Sequence, residues 1–181
     1  ENWRYADRLV RKGEGQQNSY KWAVPEGLKT AKDSVLASGN SVVFYHQNPK
    51  KTVFDLTVSQ QGLDVVKTEL YNPLKNLISG GKMWSNNLVY AGIENGMHAG
   101  TDFQAWIFKS KKPNNQFDIS IALEVSQNEK LTDWSNALNK TIASIQLKTD
   151  KKKSTAWWNN YWQRSFIHIE GEAAQLSRNY T

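Results

Sequence analysis

A chain of 181 residues suffices for one domain, or one domain with a connecting segment, and buries about 70% of its unfolded surface without disulfides or a metal. Cysteine is absent, which excludes disulfide frameworks, cysteine zinc sites and thiol nucleophiles. The net charge of +6 gathers in Lys109, Lys111 and Lys112, and in Lys148, Lys151, Lys152 and Lys153, beside turn residues and with few arginines, a pattern of solvated edges rather than of a nucleic-acid face.

No stretch approaches the roughly 20 apolar residues that cross a bilayer, so no membrane span is expected. Residues 1–5 carry no signal-peptide core, and Glu1 reads as the start of a processed or truncated product, with a periplasmic or secreted location expected. Aromatic residues make up 12% of the chain, with eight Trp, seven Tyr and six Phe. Tryptophan fills cores by default, and its face also suits the apolar C–H faces of sugar rings.

Along residues 1–40, Gly13, Gly15, Pro25, Gly27 and Gly39 suggest short strands joined by turns. Residues 41–46 (SVVFYH) predict a strand ending at Asn48-Pro49. Residues 52–59 (TVFDLTVS) alternate Thr52, Phe54, Leu56 and Val58 against a more polar set, which predicts a second strand and a hairpin with a 46–51 loop. A helical turn is expected over 63–70, broken by Asn72-Pro73, and Gly80-Gly81 reads as a turn. Residues 87–93 and 102–110 predict strands, with a turn over 112–115. Residues 116–125 (QFDISIALEV) are the cleanest strand: Phe117, Ile119, Ile121, Leu123 and Val125 share the face expected to be buried, and Asp118, Ser120, Ala122 and Glu124 face away. With the preceding strand this predicts one layer of a sandwich.

The rhythm changes near Lys130. Trp134, Leu138, Ile142 and Ile145 form a helical stripe that starts at Thr132 or Asp133 and ends near Leu147. Residues 148–153 read as a polar break and 154–163 as a helix with Trp158 and Trp162 on one face. Residues 165–169 predict a short strand, and 173–181 the start of another helix, which suggests that the natural protein continues.

Residues 157–165 (WWNNYWQRS) resemble the WW-x-x-[FY]-W-x-R-S element of glycoside hydrolase family 95 and its relatives, where it joins an N-terminal β-supersandwich to an (α/α)6 barrel. Residues 176–181 are similar to the start of the first barrel helix. Residues 43–48, 60–63 and 72–76, with Gly80-Gly81, resemble that family's N-terminal domain of unknown function, found in bacterial proteins of polysaccharide breakdown. The resemblance covers residues 40–181, with one departure: a His often precedes the double Trp, and Ser154-Thr155-Ala156 stands here. It implies a mainly β fold, an antiparallel supersandwich-like β-sandwich over 1–129, then a helical linker with a short strand over 130–181 leading toward an absent (α/α)6 barrel of the parent protein. In such enzymes the catalytic groups lie on the barrel, so none is carried onto this chain.

Glycoside hydrolysis needs two facing carboxyl groups, about 5.5 Å apart for retention or roughly 6.5–9.5 Å for inversion. Glu94, Asp102 and Glu124 are available, but nothing in the sequence pairs them. His46, His98 and His168 show no HxH or HExxH spacing, and neither a metal nor another cofactor is expected. The carbohydrate-binding candidates are Trp84, after Gly80-Gly81, and His98 and Asp102, in and beside a glycine-bounded loop over 95–100. Their ordinary alternatives are core packing for Trp84 and a plain connection for the loop. Trp106 reads as core or inter-sheet packing, and Trp157, Trp158 and Trp162 as linker packing against the sandwich. The expected function is an accessory sandwich and linker of a glycoside hydrolase, with a glycan as a further partner. The alternatives are a stand-alone carbohydrate-binding module and a self-contained enzyme. The first predicts an exposed apolar patch around Trp158 and Trp162; the second predicts an open row of aromatics or a groove on one sheet.

Overall fold

The computed structural model describes residues 6–9, 29–165, 169–171 and 174–175. The chain divides into two compact units, residues 1–142 and 143–181.

The first unit is mainly β, antiparallel and sandwich-like. A short pair, β1 (Arg8–Leu9) and β2 (Lys29–Thr30), precedes a four-stranded sheet. That sheet has the order β3 (Ser34–Ser38), β4 (Ser41–Gln47), β5 (Leu77–Ser85), β8 (Ile119–Gln127). Between β5 and β8 the chain makes a long two-stranded ribbon, β6 (Leu88–His98) and β7 (Thr101–Ser110). Helix α1 (Val53–Gln60) and a 3-10 turn (Asp64–Glu69) connect β4 to β5.

Helix α2 (Leu131–Ala143) follows β8 and completes the core. Its predicted stripe holds: Trp134 and Leu138 are buried with Ile78 and Ala122, and Val43, Tyr45, Trp84, Leu131 and Ile142 pack around them. The Tyr45 and Trp134 rings lie 5.5 Å apart. Trp134 Nε1 donates to the Glu124 carbonyl at 3.1 Å, so the indole is buried without losing its hydrogen bond.

Several expectations are corrected. The strand expected over 52–59 is instead helix α1, Val53–Gln60, with Thr52 at its N-cap, so β4 pairs with β3 and β5 and the predicted hairpin does not exist. Thr52 and Asp55 decide this: the Asp55 carboxylate accepts from Thr52 N at 2.8 Å and from Thr52 Oγ1 at 2.9 Å, which caps the first turn. Gly80 and Gly81 sit in mid-strand rather than in a turn. A Cβ at Gly80 would lie 2.1 Å from the Phe44 carbonyl oxygen, and one at Gly81 2.2 Å from that of Ala122.

The faces of β8 are reversed from the reading above. Ile119, Ile121, Leu123 and Val125 are 57%, 50%, 61% and 62% exposed, whereas Ala122 is buried. The helix decides the facing, because the broad indole of Trp134 packs with the small residue Ala122 while the larger row points outward. Glu124 is therefore half-buried rather than solvated, and Thr141 Oγ1 donates to its Oε2 at 3.3 Å. β7 and β8 lie in different sheets, not side by side.

In the second unit α3 (Leu147–Trp162) takes in the lysine run that was expected to break the chain. Asp150 Oδ2 accepts from Gln146 N at 2.8 Å, which supports an earlier helix start. The strand expected over 165–169 and the helix expected over 173–181 fall mostly outside the described residues.

Candidate functional site

The three carbohydrate candidates are not brought together. Trp84 stands at the root of the β6–β7 ribbon and lines an apolar cavity of about 230 Å³ with Val42, Met83, Leu88, Trp106 and Phe108. His98 and Asp102 stand at the ribbon's other end, ten residues beyond Leu88, or about 30 Å along a strand. They belong to neighbouring cross-strand pairs, His98 with Thr101 and Met97 with Asp102, so their side chains take opposite faces of the ribbon.

The expected 95–100 loop is mostly strand, because only Ala99 and Gly100 turn, at φ 47° and 73°. Gly96 misled the reading. It is a strand glycine under the Phe103 ring, where a Cβ would meet Phe103 Cζ at 2.6 Å. Glu94 pairs with Ala105, three residues along β6 from Met97, so Glu94 and Asp102 also take opposite faces. His46 Nδ1 lies 2.8 Å from Asp33 Oδ1, and His168 lies outside the described residues.

A groove of about 730 Å³ opens where α1, the 3-10 turn, the 70–76 loop and the end of β8 meet. Lys50, Asp55, Lys67, Tyr71, Lys75 and Gln127 are among its lining residues. Asp55 anchors one wall. Lys67 Nζ lies 2.7 Å from its Oδ1, and Thr52 N and Oγ1 hold its Oδ2. The Lys67 contact and the Thr52 backbone bond lower the Asp55 pKa from 3.8 to about 2.

Gln127 anchors the other wall. Its Nε2 donates to the carbonyls of Asn72 at 2.9 Å and Lys75 at 2.8 Å, and its Oε1 accepts from the Tyr71 hydroxyl. Tyr71 is 75% exposed, yet its hydroxyl is tied down at the groove. The sequence reading missed this site. In the sequence Asn72-Pro73 reads as a helix breaker and as part of the family resemblance over 72–76, and Thr52-x-x-Asp55, a capping-box signal, reads as strand alternation.

On α3, Trp157, Trp158, Tyr161 and Trp162 share one helical face and are 58%, 48%, 39% and 45% exposed. Trp157 stacks on Tyr161 at 5.5 Å and 10°, and Trp158 on Trp162 at 6.3 Å and 21°. The rings order one another without being buried.

Residues 1–167 match the family model DUF5703_N, described as a domain of unknown function (DUF5703). The chain belongs to the DUF5703 family. The match takes in the sheet, the groove and the whole of α3 in this DUF5703 chain. No curated protein and no solved structure matches it. The DUF5703 description names no activity or ligand, so functional argument rests on the chemistry of the groove and of α3.

Proposed function

We propose that this chain is the accessory front portion and linker of a larger, glycoside hydrolase family 95-like protein of polysaccharide breakdown, with α3 as the connector that docks on a helical barrel. The observation that carries this reading is the half-exposed aromatic quartet on one face of α3. Applied to roughly 150–250 Å² per aromatic side chain, its exposures leave about 300–500 Å² of apolar surface open. Patches of that size mark interaction sites. Covering this one would contribute roughly 7–12 kcal/mol before the costs of ordering. The resemblance of residues 157–165 to a sandwich-to-barrel connector supports the same reading.

The test compares this chain with the full-length gene product. Acrylamide should quench tryptophan emission from Trp157, Trp158 and Trp162 in the chain alone, and much less in the full-length protein. The full-length protein should hydrolyse members of a polysaccharide panel, and the chain alone should cleave no nitrophenyl glycoside. Equal quenching in both forms sinks the connector role, and hydrolysis by the chain alone sinks the accessory role. The second reading, a carbohydrate-binding module, is favoured by the groove beside Tyr71, which joins an exposed aromatic ring to lysines and amides.

A further inference from the structure

We propose that the groove beside Tyr71 binds an acidic saccharide, with a pyranose ring lying on the Tyr71 face and a carboxylate held by Lys50 and Lys75. The inference gives the second reading its ligand class. It can stand or fall apart from α3 docking, because the groove lies within residues 50–129 and the quartet lies in the other unit.

Size comes first. A volume of about 730 Å³ lies within the ~300–1,000 Å³ usual for ligand sites. Preorganisation comes second. Gln127 fixes the Tyr71 hydroxyl and is itself held by two backbone carbonyls, so the ring is positioned before a ligand arrives and loses little freedom on binding. The C–H face of a pyranose is apolar and matches an exposed phenol ring.

Charge comes third. Lys67 is paired with Asp55, which leaves Lys50 and Lys75 against Glu129. Among the described residues the Lys50 and Lys75 side chains make no hydrogen bond or ion pair, and both residues are exposed at the groove. The balance favours an anion. A phosphate or nucleotide fits less well. Such ligands favour glycine-rich backbone cradles, and no glycine lines this groove. Ammonium groups with the amides of Asn72 and Asn76 suit carboxylates and hydroxyls.

Calorimetric titration of the chain at low salt tests this, with tetragalacturonate as the probe. A neutral galactose tetramer, inorganic phosphate and ATP serve as separate arms. The acidic tetramer should bind with a Kd of about 0.1–1 mM, and the neutral one at least tenfold more weakly. Lys50→Gln with Lys75→Gln should weaken the acidic tetramer at least tenfold and flatten its salt dependence. Tyr71→Ala should weaken it comparably, and Tyr71→Phe, which keeps the ring but loses the Gln127 bond, less. Urea midpoints check that each variant folds, and the two exposed lysines keep the test sharp if Tyr71→Ala does not. The proposal is overturned if the acidic tetramer does not bind, if the double lysine variant binds it unchanged, or if phosphate or ATP binds as tightly.

Discussion

Asp55 joins helix formation to the groove. Its carboxylate caps α1 through Thr52 and holds Lys67 at 2.7 Å, and these contacts lower its pKa to about 2 from 3.8. The folded-state value lies below the unfolded one, so the stabilisation is complete above about pH 4 and is lost as the pH falls toward 2. Lys67 is 39% exposed, so screening reduces the contribution to about 1 kcal/mol. Urea denaturation at pH 7 should show Asp55→Asn less stable by about 1–2 kcal/mol once the lost capping bonds are included. At pH 2 the gap should narrow; a gap that stays constant would exclude the ionised carboxylate as its source. At the ribbon tip, Ala99 adopts φ 47° in a turn that prefers Asn before Gly. Ala99→Asn should raise stability by about 0.5–1 kcal/mol in the same assay.

At the scale of elements, β8 and α2 show what was legible. The two-residue alternation of β8 and the Trp134, Leu138, Ile142 stripe of α2 are both present in the structure. Which β8 face is buried was not legible, because alternation sets two faces apart without saying which neighbour covers either. The partner that decided it, Trp134, comes ten residues after Glu124, whose carbonyl it binds. Residues 52–59 failed differently: β-branched Val53, Thr57 and Val58 favour a strand locally, and the Thr52–Asp55 cap overrides them. The facing gives a sharp test. Leu123→Thr on the exposed row should cost less than about 1 kcal/mol, whereas Ala122→Leu, forced against Trp134, should cost about 1–3 kcal/mol. Chemical denaturation of both variants decides it, and the opposite ranking would reverse the strand.

On the scale of the whole molecule, the mainly β layer and the later helices were readable because hydrophobic period is a local property. The groove was not, since it joins Lys50, Tyr71 and Gln127 across 77 residues of chain. The two units also use tryptophan in opposite ways. Trp134 is 1% exposed with its Nε1 bonded, and it holds α2 to the sheet. Trp158 and Trp162 are nearly half exposed, and among the described residues their ring contacts run along their own helix, α3. Trp134→Ala should therefore cost about 3–5 kcal/mol or prevent folding. Trp158→Ser with Trp162→Ser should cost less, about 1–2 kcal/mol, because nearly half of each side chain is already in solvent. Thermal and urea unfolding of the two variants measure the contrast. A large loss from the α3 pair would mean that those indoles are already covered in the free chain, which would remove the open surface on which docking to a helical partner depends.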